Sequence, residues 1–172
     1  MVLYSNIRNE IKTGDLLIWK TTVVEDFFDL FLLIYQKIFG AQWTHMAIAV
    51  RWDKRAMQVE ATPPVSRLFP VSKKGRDFYW IPLGIRGKDS HLEFLLSLLG
   101  RKYSLWDFLR SKFKLKRDDS EDYCSDFAST FYNEIGYIND DDAGVTPDAL
   151  VAAIIKASGQ QPIFVKMDRG NL

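Results

Sequence analysis

Two apolar runs, Trp43 to Trp52 and Ala56 to Ala61, are separated only by Asp53-Lys54-Arg55. A polar connection of that length between two strand-like runs closes an antiparallel hairpin. The ends of adjacent strands then meet. His45, near the start of the first run, and Glu60, near the end of the second, become neighbours despite their distance in sequence. A carboxylate beside an imidazole fixes its tautomer and leaves the other ring nitrogen free to take a proton, while also stabilising the imidazolium that results.

Around the hairpin, Lys12-Thr13-Gly14-Asp15 reads as a turn and Leu16-Leu17-Ile18-Trp19 as a short buried strand. Phe27, Leu30, Phe31, Ile34 and Ile38 recur at helical spacing, so Glu25 to Phe39 is predicted as a helix stopped by Gly40. Val65 to Val71 is expected to be an irregular strand, and Asp77 to Pro82 an aromatic strand closed by proline. Lys88 to Leu99 follows as a helix ended by Gly100, and Tyr103 to Phe113 as a short helix. Tyr123 to Ile135 is helical, with Phe127, Ala128, Phe131 and Ile135 facing a core. Thr146 caps a helix that opens at Pro147 and runs to Lys156, and Pro162 to Lys166 is a final strand. With 172 residues, 1–172 is expected to be one domain.

The single cysteine, Cys124, falls in the first turn of the Tyr123–Ile135 helix. Unsatisfied N–H groups at a helix start favour thiolate over thiol, so position alone is expected to lower its pKa from about 8.5. Cys124, His45 and Glu60 together have the logic of nucleophilic thiol catalysis, in which sulfur attacks an acyl carbon to give a thioester. Read separately, each has a plain structural role: a small core residue, a hydrogen-bonded histidine and a solvent-facing glutamate.

Composition removes several other classes. Lys and Arg number 23 against 22 Asp and Glu, a net charge of +1, so no global field recruits nucleic acid or an anionic membrane. The basic run Arg110 to Arg117 contains Phe113, as nucleic-acid patches do, but Asp118 to Asp122 follows at once and a solvated loop is the simpler reading. One cysteine excludes an internal disulfide, and two histidines, His45 and His91, leave little for a metal centre, so no metal or cofactor is expected. Asn139 to Gly144 starts like a calcium loop without the glutamate that completes one. The first twelve residues lack the apolar stretch of a secretory signal, and Phe27 to Tyr35 is shorter than the roughly 20 apolar residues that span a bilayer, so a cytoplasmic location is expected. The helix over 25–39 is then read as a core helix. A competing reading makes it an apolar surface beside the histidine strand, open to an acyl chain or a peripheral membrane contact.

The segments Gly14 to Ile18, Thr44-His45-Met46-Ala47-Ile48-Ala49, Val59-Glu60-Ala61, Gly100 to Phe108, Tyr123-Cys124-Ser125-Asp126 and Thr146-Pro147-Asp148 together resemble the circularly permuted NlpC/P60 cysteine hydrolases, and within them the YiiX-like permuted papain-fold proteins. The resemblance covers most of the chain, in the order His, acid, Cys. It implies an α+β, permuted papain-like fold in which a small antiparallel sheet packs against helices. It also implies Cys124 as nucleophile, His45 as general base and acid, and Glu60 as the orienting group. Tyr123 and the Cys124 N–H would border the oxyanion; separately, Trp43 and Trp106 lie close in sequence to the motif residues and are expected to wall the cleft, the other tryptophans filling the core. The implied substrate is a peptide or cell-wall amide. A lipid acyl substrate and a non-catalytic binding module on the same fold are the alternatives. Asp126, where relatives more often carry glutamate, and Phe127, where they carry a smaller aliphatic residue, bear on substrate preference.

Overall fold

A computed structural model describes residues 1–24, 27–85, 89–104, 121–139 and 146–168. Its centre is a seven-stranded sheet in the order β1 (Val2–Leu3), β9 (Ile163–Lys166), β6 (Phe78–Ile81), β2 (Leu16–Trp19), β3 (His45–Trp52), β4 (Arg55–Glu60) and β5 (Arg67–Pro70). Neighbouring strands are antiparallel except β1 and β9, which run parallel. A separate parallel pair joins β7 (Lys102–Tyr103) to β8 (Glu121–Asp122). The helices are α1 (Tyr4–Ile7), α2 (Phe27–Phe39), α3 (Asp89–Ser97), α4 (Cys124–Glu134) and α5 (Pro147–Ser158), with a 3-10 turn at Val71–Lys74.

The central hairpin forms as its loop dictates, Ile48 facing Val59 and Trp52 facing Arg55, with Asp53 taking a positive φ of 53° at the turn. Alternation along the strands then divides the core in two. Leu16, Ile18, Met46, Ile48 and Val50 point to one face, where Phe127, Ala128 and Phe131 of α4 and Leu150 and Ile154 of α5 cover them. Leu17, Trp19, Ala47 and Ala49 point to the other, against Ile7, Ile11, Phe78 and Trp80. Each such large side chain withdrawn from water contributes about 1.5–3 kcal/mol.

Two carboxylates fasten this arrangement, Asp15 buried and Asp148 partly exposed. Asp15 accepts from the Lys12 N–H at 2.9 Å, the Leu83 N–H at 3.0 Å and Trp80 Nε1 at 2.8 Å. Asp148, in the first turn of α5, accepts from the N–H groups of Gln42 and Trp43 at 3.1 and 3.0 Å, just ahead of β3. Gly14 takes φ 92°, and a Cβ there would meet Ile85 at 3.1 Å; its carbonyl accepts from Tyr132 Oη at 2.9 Å.

Several expectations are corrected. The Val65–Val71 segment is a strand only over Arg67–Pro70, because the chain turns into the 3-10 helix at Val71. The N-terminal β1 and α1 have no counterpart in the sequence reading. Helix α2 is not simply a core helix: Asp29, Leu32 and Tyr35 are buried, whereas Phe27, Leu30, Ile34 and Ile38 on the opposite side are exposed. The helix has apolar residues nearly all round, but only the side carrying Leu32 and Tyr35 is covered, by Ala41 and Tyr123. The 105–113 portion of the expected Tyr103–Phe113 helix, Trp106 within it, the basic run 110–117 and residues 140–144 of the acidic loop lie outside the described residues.

Candidate active site

His45 is the first residue of β3 and Glu60 the last of β4. The Ile48–Val59 register puts Glu60 across from Ala47, which shares a face with His45. The two side chains meet there, with His45 Nε2 2.6 Å from Glu60 Oε2. Glu60 is 1 % exposed, and its remaining lone pairs are also engaged. Gln58 Nε2 donates to Oε2 at 3.2 Å, Lys74 Nζ donates to the same oxygen, and Arg67 Nη2 donates to Oε1 at 3.2 Å. The Lys74 ammonium also lies 4.1 Å from the centre of the Trp19 ring, which in turn neighbours the His45 imidazole.

These contacts determine the protonation states. Burial pushes the Glu60 carboxyl up, but His45 and Lys74 beside it outweigh that and hold it below the usual carboxylate range. Burial and the Lys74 charge lower the His45 pKa by more than Glu60 raises it, which leaves the imidazole neutral near pH 7. A neutral ring against an ionised carboxylate must carry its proton on Nε2. The basic lone pair is therefore on Nδ1, which is buried and has no hydrogen-bond partner among the described residues.

Cys124 opens α4, with Tyr123 in extended conformation as its N-cap. The thiol accepts from the backbone N–H groups of Ser125, in its own helix, and Met46, in β3. β4 ends at Glu60, which leaves the Met46 N–H for the sulfur and seats the sulfur against the peptide that joins His45 to Met46. The expected preference for thiolate is reversed. Cys124 is 1 % exposed, and burial pushes its thiol up to about 12 despite the opposing pull of both N–H groups and Lys74. A helix start stabilises a thiolate by a fraction of a charge, whereas full desolvation acts on the whole charge. Cys124 and His45 make no hydrogen bond to each other through Nδ1.

A cavity of about 260 Å³ opens on the His45–Glu60 side, with Trp19, Thr21, Asp29, Leu32 and Lys74 in its wall. Cys124, Tyr123 and Trp43 are not in that wall. Tyr123 is fully buried against Leu32 and Tyr35 of α2. Trp43 is buried edge-on against Tyr79 at 4.9 Å, with Lys20 Nζ 4.8 Å from its ring centre. Sequence reasoning missed Lys74, Arg67, Gln58 and Trp19. Arg67 and Gln58 carry a signal once the strands are known, since Arg67 pairs with Glu60 across β4 and β5 and Gln58 precedes Glu60 by two residues on the same face. Nothing local to Lys74 marks it.

The molecule is a mixed α+β protein in which a helix presenting a cysteine lies against an antiparallel sheet presenting a histidine and a glutamate. It shares its fold with yiiX from Escherichia coli O157:H7, a DUF1105 protein described as a metalloprotein, with a TM-score of 0.51 and 15% identity over 89% of this chain and 88% of that one. No protein-family model matches the chain, and no curated protein matches it in sequence. Among the described residues, no helix is long and apolar enough to cross a membrane.

Proposed function

We propose that the protein is a thiol hydrolase of the permuted papain-like group, with Cys124 as nucleophile, His45 as general base and acid, and Glu60 as the orienting carboxylate. The observation that supports this reading is the 2.6 Å bond between His45 Nε2 and Glu60, which leaves Nδ1 as the unpartnered ring nitrogen, while the Cys124 sulfur takes the N–H of the next residue, Met46. Because the thiol rests protonated and the imidazole neutral, the proton moves from sulfur to Nδ1 as the sulfur attacks the carbonyl carbon. Glu60 stabilises the imidazolium. That imidazolium returns the proton to the leaving amine as the C–N bond breaks, giving a thioester. Water, losing a proton to Nδ1, then cleaves the C–S bond and frees the acid and the thiol. The N–H of Cys124 and the Tyr123 segment border the oxyanion in this scheme, and the substrate is a peptide or peptidoglycan-type amide.

The E. coli neighbour is described as a metalloprotein, but the residues here do not fit a metal. No three His, Cys, Asp or Glu side chains group together among the described residues. The Glu60 carboxylate is already held by Lys74, Arg67 and Gln58, two of them cations that repel another. No step of the proposed reaction runs through one.

Replacing Cys124 by alanine or serine is expected to abolish amide hydrolysis with the circular dichroism spectrum unchanged. Turnover retained in either variant overturns the assignment. Glu60→Gln lowers kcat and leaves a residue of activity, since thiol and imidazole remain. The burial of Cys124 favours one second reading, a binding module that keeps the fold without turnover. Iodoacetamide distinguishes the two. In the enzyme, alkylation near pH 7 is slow but falls further in His45→Ala, whereas in a module it is indifferent to His45.

A further inference from the structure

The cavity beside His45 and Glu60 carries a charge out of keeping with the rest of the molecule. The whole chain is nearly neutral at +1, yet Lys20, Arg67, Lys73, Lys74 and Arg76 stand in the cavity wall against only two carboxylates, Asp29 and Glu60. Those two do not neutralise the five. Asp29 takes the guanidinium fork of Arg76 at 2.7 and 2.6 Å, and the single Glu60 carboxylate is shared by Lys74 and Arg67. Lys20 and Lys73 have no carboxylate partner among the described residues. The Lys20 ammonium rests instead over the rings of Trp43 and Tyr79, 4.8 and 5.3 Å from their centres. Ring faces attract a cation without cancelling its charge.

The wall offers donors as well as charge. Lys74 gives one of its three N–H bonds to Glu60, and Arg67 gives only Nη2, so both keep further N–H groups. Trp19, 4 % exposed and part of the same wall, holds its Nε1–H without an acceptor among the described residues. Buried donors are as a rule bonded, so this one is open to an acceptor brought by a ligand. Leu32 and Phe69 add apolar surface, and low-dielectric walls around charges of one sign focus their field. At about 260 Å³ the space suits a compact group, not a drug-sized molecule. A lone carboxylate would offset one positive charge and leave the others facing each other. A phosphoryl group brings about 1.5–2 negative charges and three strong acceptor oxygens, which ammonium and guanidinium donors together serve well.

We infer that this cavity is a binding site for a phosphate-type dianion, with Lys20 and Lys73 supplying the unneutralised charge and Lys74 and Arg67 further donors. Cys124 is not in the wall. Cys124→Ala therefore binds the anion as the native protein does, and the catalytic reading can fail without this one.

The test is calorimetric titration with inorganic phosphate at pH 7 in about 0.1 M sodium chloride, where exposed charges are already well screened. The native protein is expected to bind phosphate saturably and acetate at least tenfold more weakly. Lys20→Gln with Lys73→Gln weakens phosphate binding by at least about tenfold. Lys54→Gln with Arg55→Gln removes the same charge at the opposite end of the β3–β4 hairpin and leaves binding unchanged. In the native protein, phosphate also moves the indole N–H resonance of Trp19, assigned by its loss in Trp19→Phe, and leaves that of Trp52 in place, so the site is read even where a lysine variant folds poorly. Tighter binding of glycerol 3-phosphate than of phosphate assigns the site to an organic phosphomonoester, and the reverse order to free phosphate. No saturable binding, equal binding of acetate, a Lys20 and Lys73 variant of native affinity, an equal loss in the Lys54 and Arg55 variant, or an unmoved Trp19 resonance overturns the inference.

Discussion

Glu60 is nearly excluded from water, yet its two oxygens receive His45, Gln58, Lys74 and Arg67, and this makes it a pH sensor for the fold. Its folded pKa lies below its unfolded value, so its stabilisation is complete above about 4.3 and is lost as pH falls from there toward the folded value. The His45 pKa is also lower in the folded protein; its preference for the neutral form therefore favours folding above about 6.5 and is lost on acidification. Urea midpoints from pH 8 to 3 are expected to fall in two stages, and in Glu60→Gln the lower stage disappears. A midpoint flat across this range contradicts both assignments. The thiol adds a third test. With its pKa near 12, alkylation of Cys124 keeps accelerating with pH well past the 3.5 to 7.5 range where activated thiols level off. His45 and Glu60 were legible in the sequence because a short hairpin loop leaves their strand ends side by side. The protonation state of Cys124 was not, because a helix start is visible in sequence and the depth of burial is not.

At the scale of elements, helix α4 is anchored by Phe127, Ala128 and Phe131 against β3 and its neighbours. Phe131→Ala is expected to cost about 3–5 kcal/mol of unfolding free energy, read from denaturant titration. Asp148 acts differently, since it joins the start of α5 to the residues just before His45. Asp148→Ala leaves the Gln42 and Trp43 N–H groups without their acceptor, costs about 1–3 kcal/mol, and, under the proposed reaction, lowers kcat more than it raises KM because the histidine strand loses its footing. Helices α4 and α5 could be read from periodicity and from the Thr146–Pro147 cap, whose side chain accepts from the Ala149 N–H. The face that α2 turns to water could not. Its apolar residues surround the helix almost evenly, and only the place where Tyr123 and Ala41 meet it decides which of them are covered.

For the whole molecule, the sheet order joins the two ends of the chain, Val2 lying across from Val165 and β9 bridging β1 to β6. None of this could be read from the sequence, because a two-residue strand such as β1 has no periodicity and pairing partners leave no local trace. Asp148 reaches back 106 residues to Gln42, and Tyr132 reaches back 118 to Gly14. Contacts so distant in sequence slow folding, and refolding from denaturant is expected on the millisecond-to-second scale of sheet-rich domains.

The Asp148 clamp also bears on how the protein is made. A ribosome releases the histidine hairpin first, while the sulfur and the carboxylate that steadies the start of β3 emerge only later. A nascent polypeptide halted before residue 148 therefore holds a histidine and a glutamate without a seated strand, and one halted before 124 lacks the cysteine that the proposed reaction uses. Under the proposed reaction, synthesis as far as residue 148 is the step that brings the parts of the centre together, and shorter translation intermediates are expected to be inert.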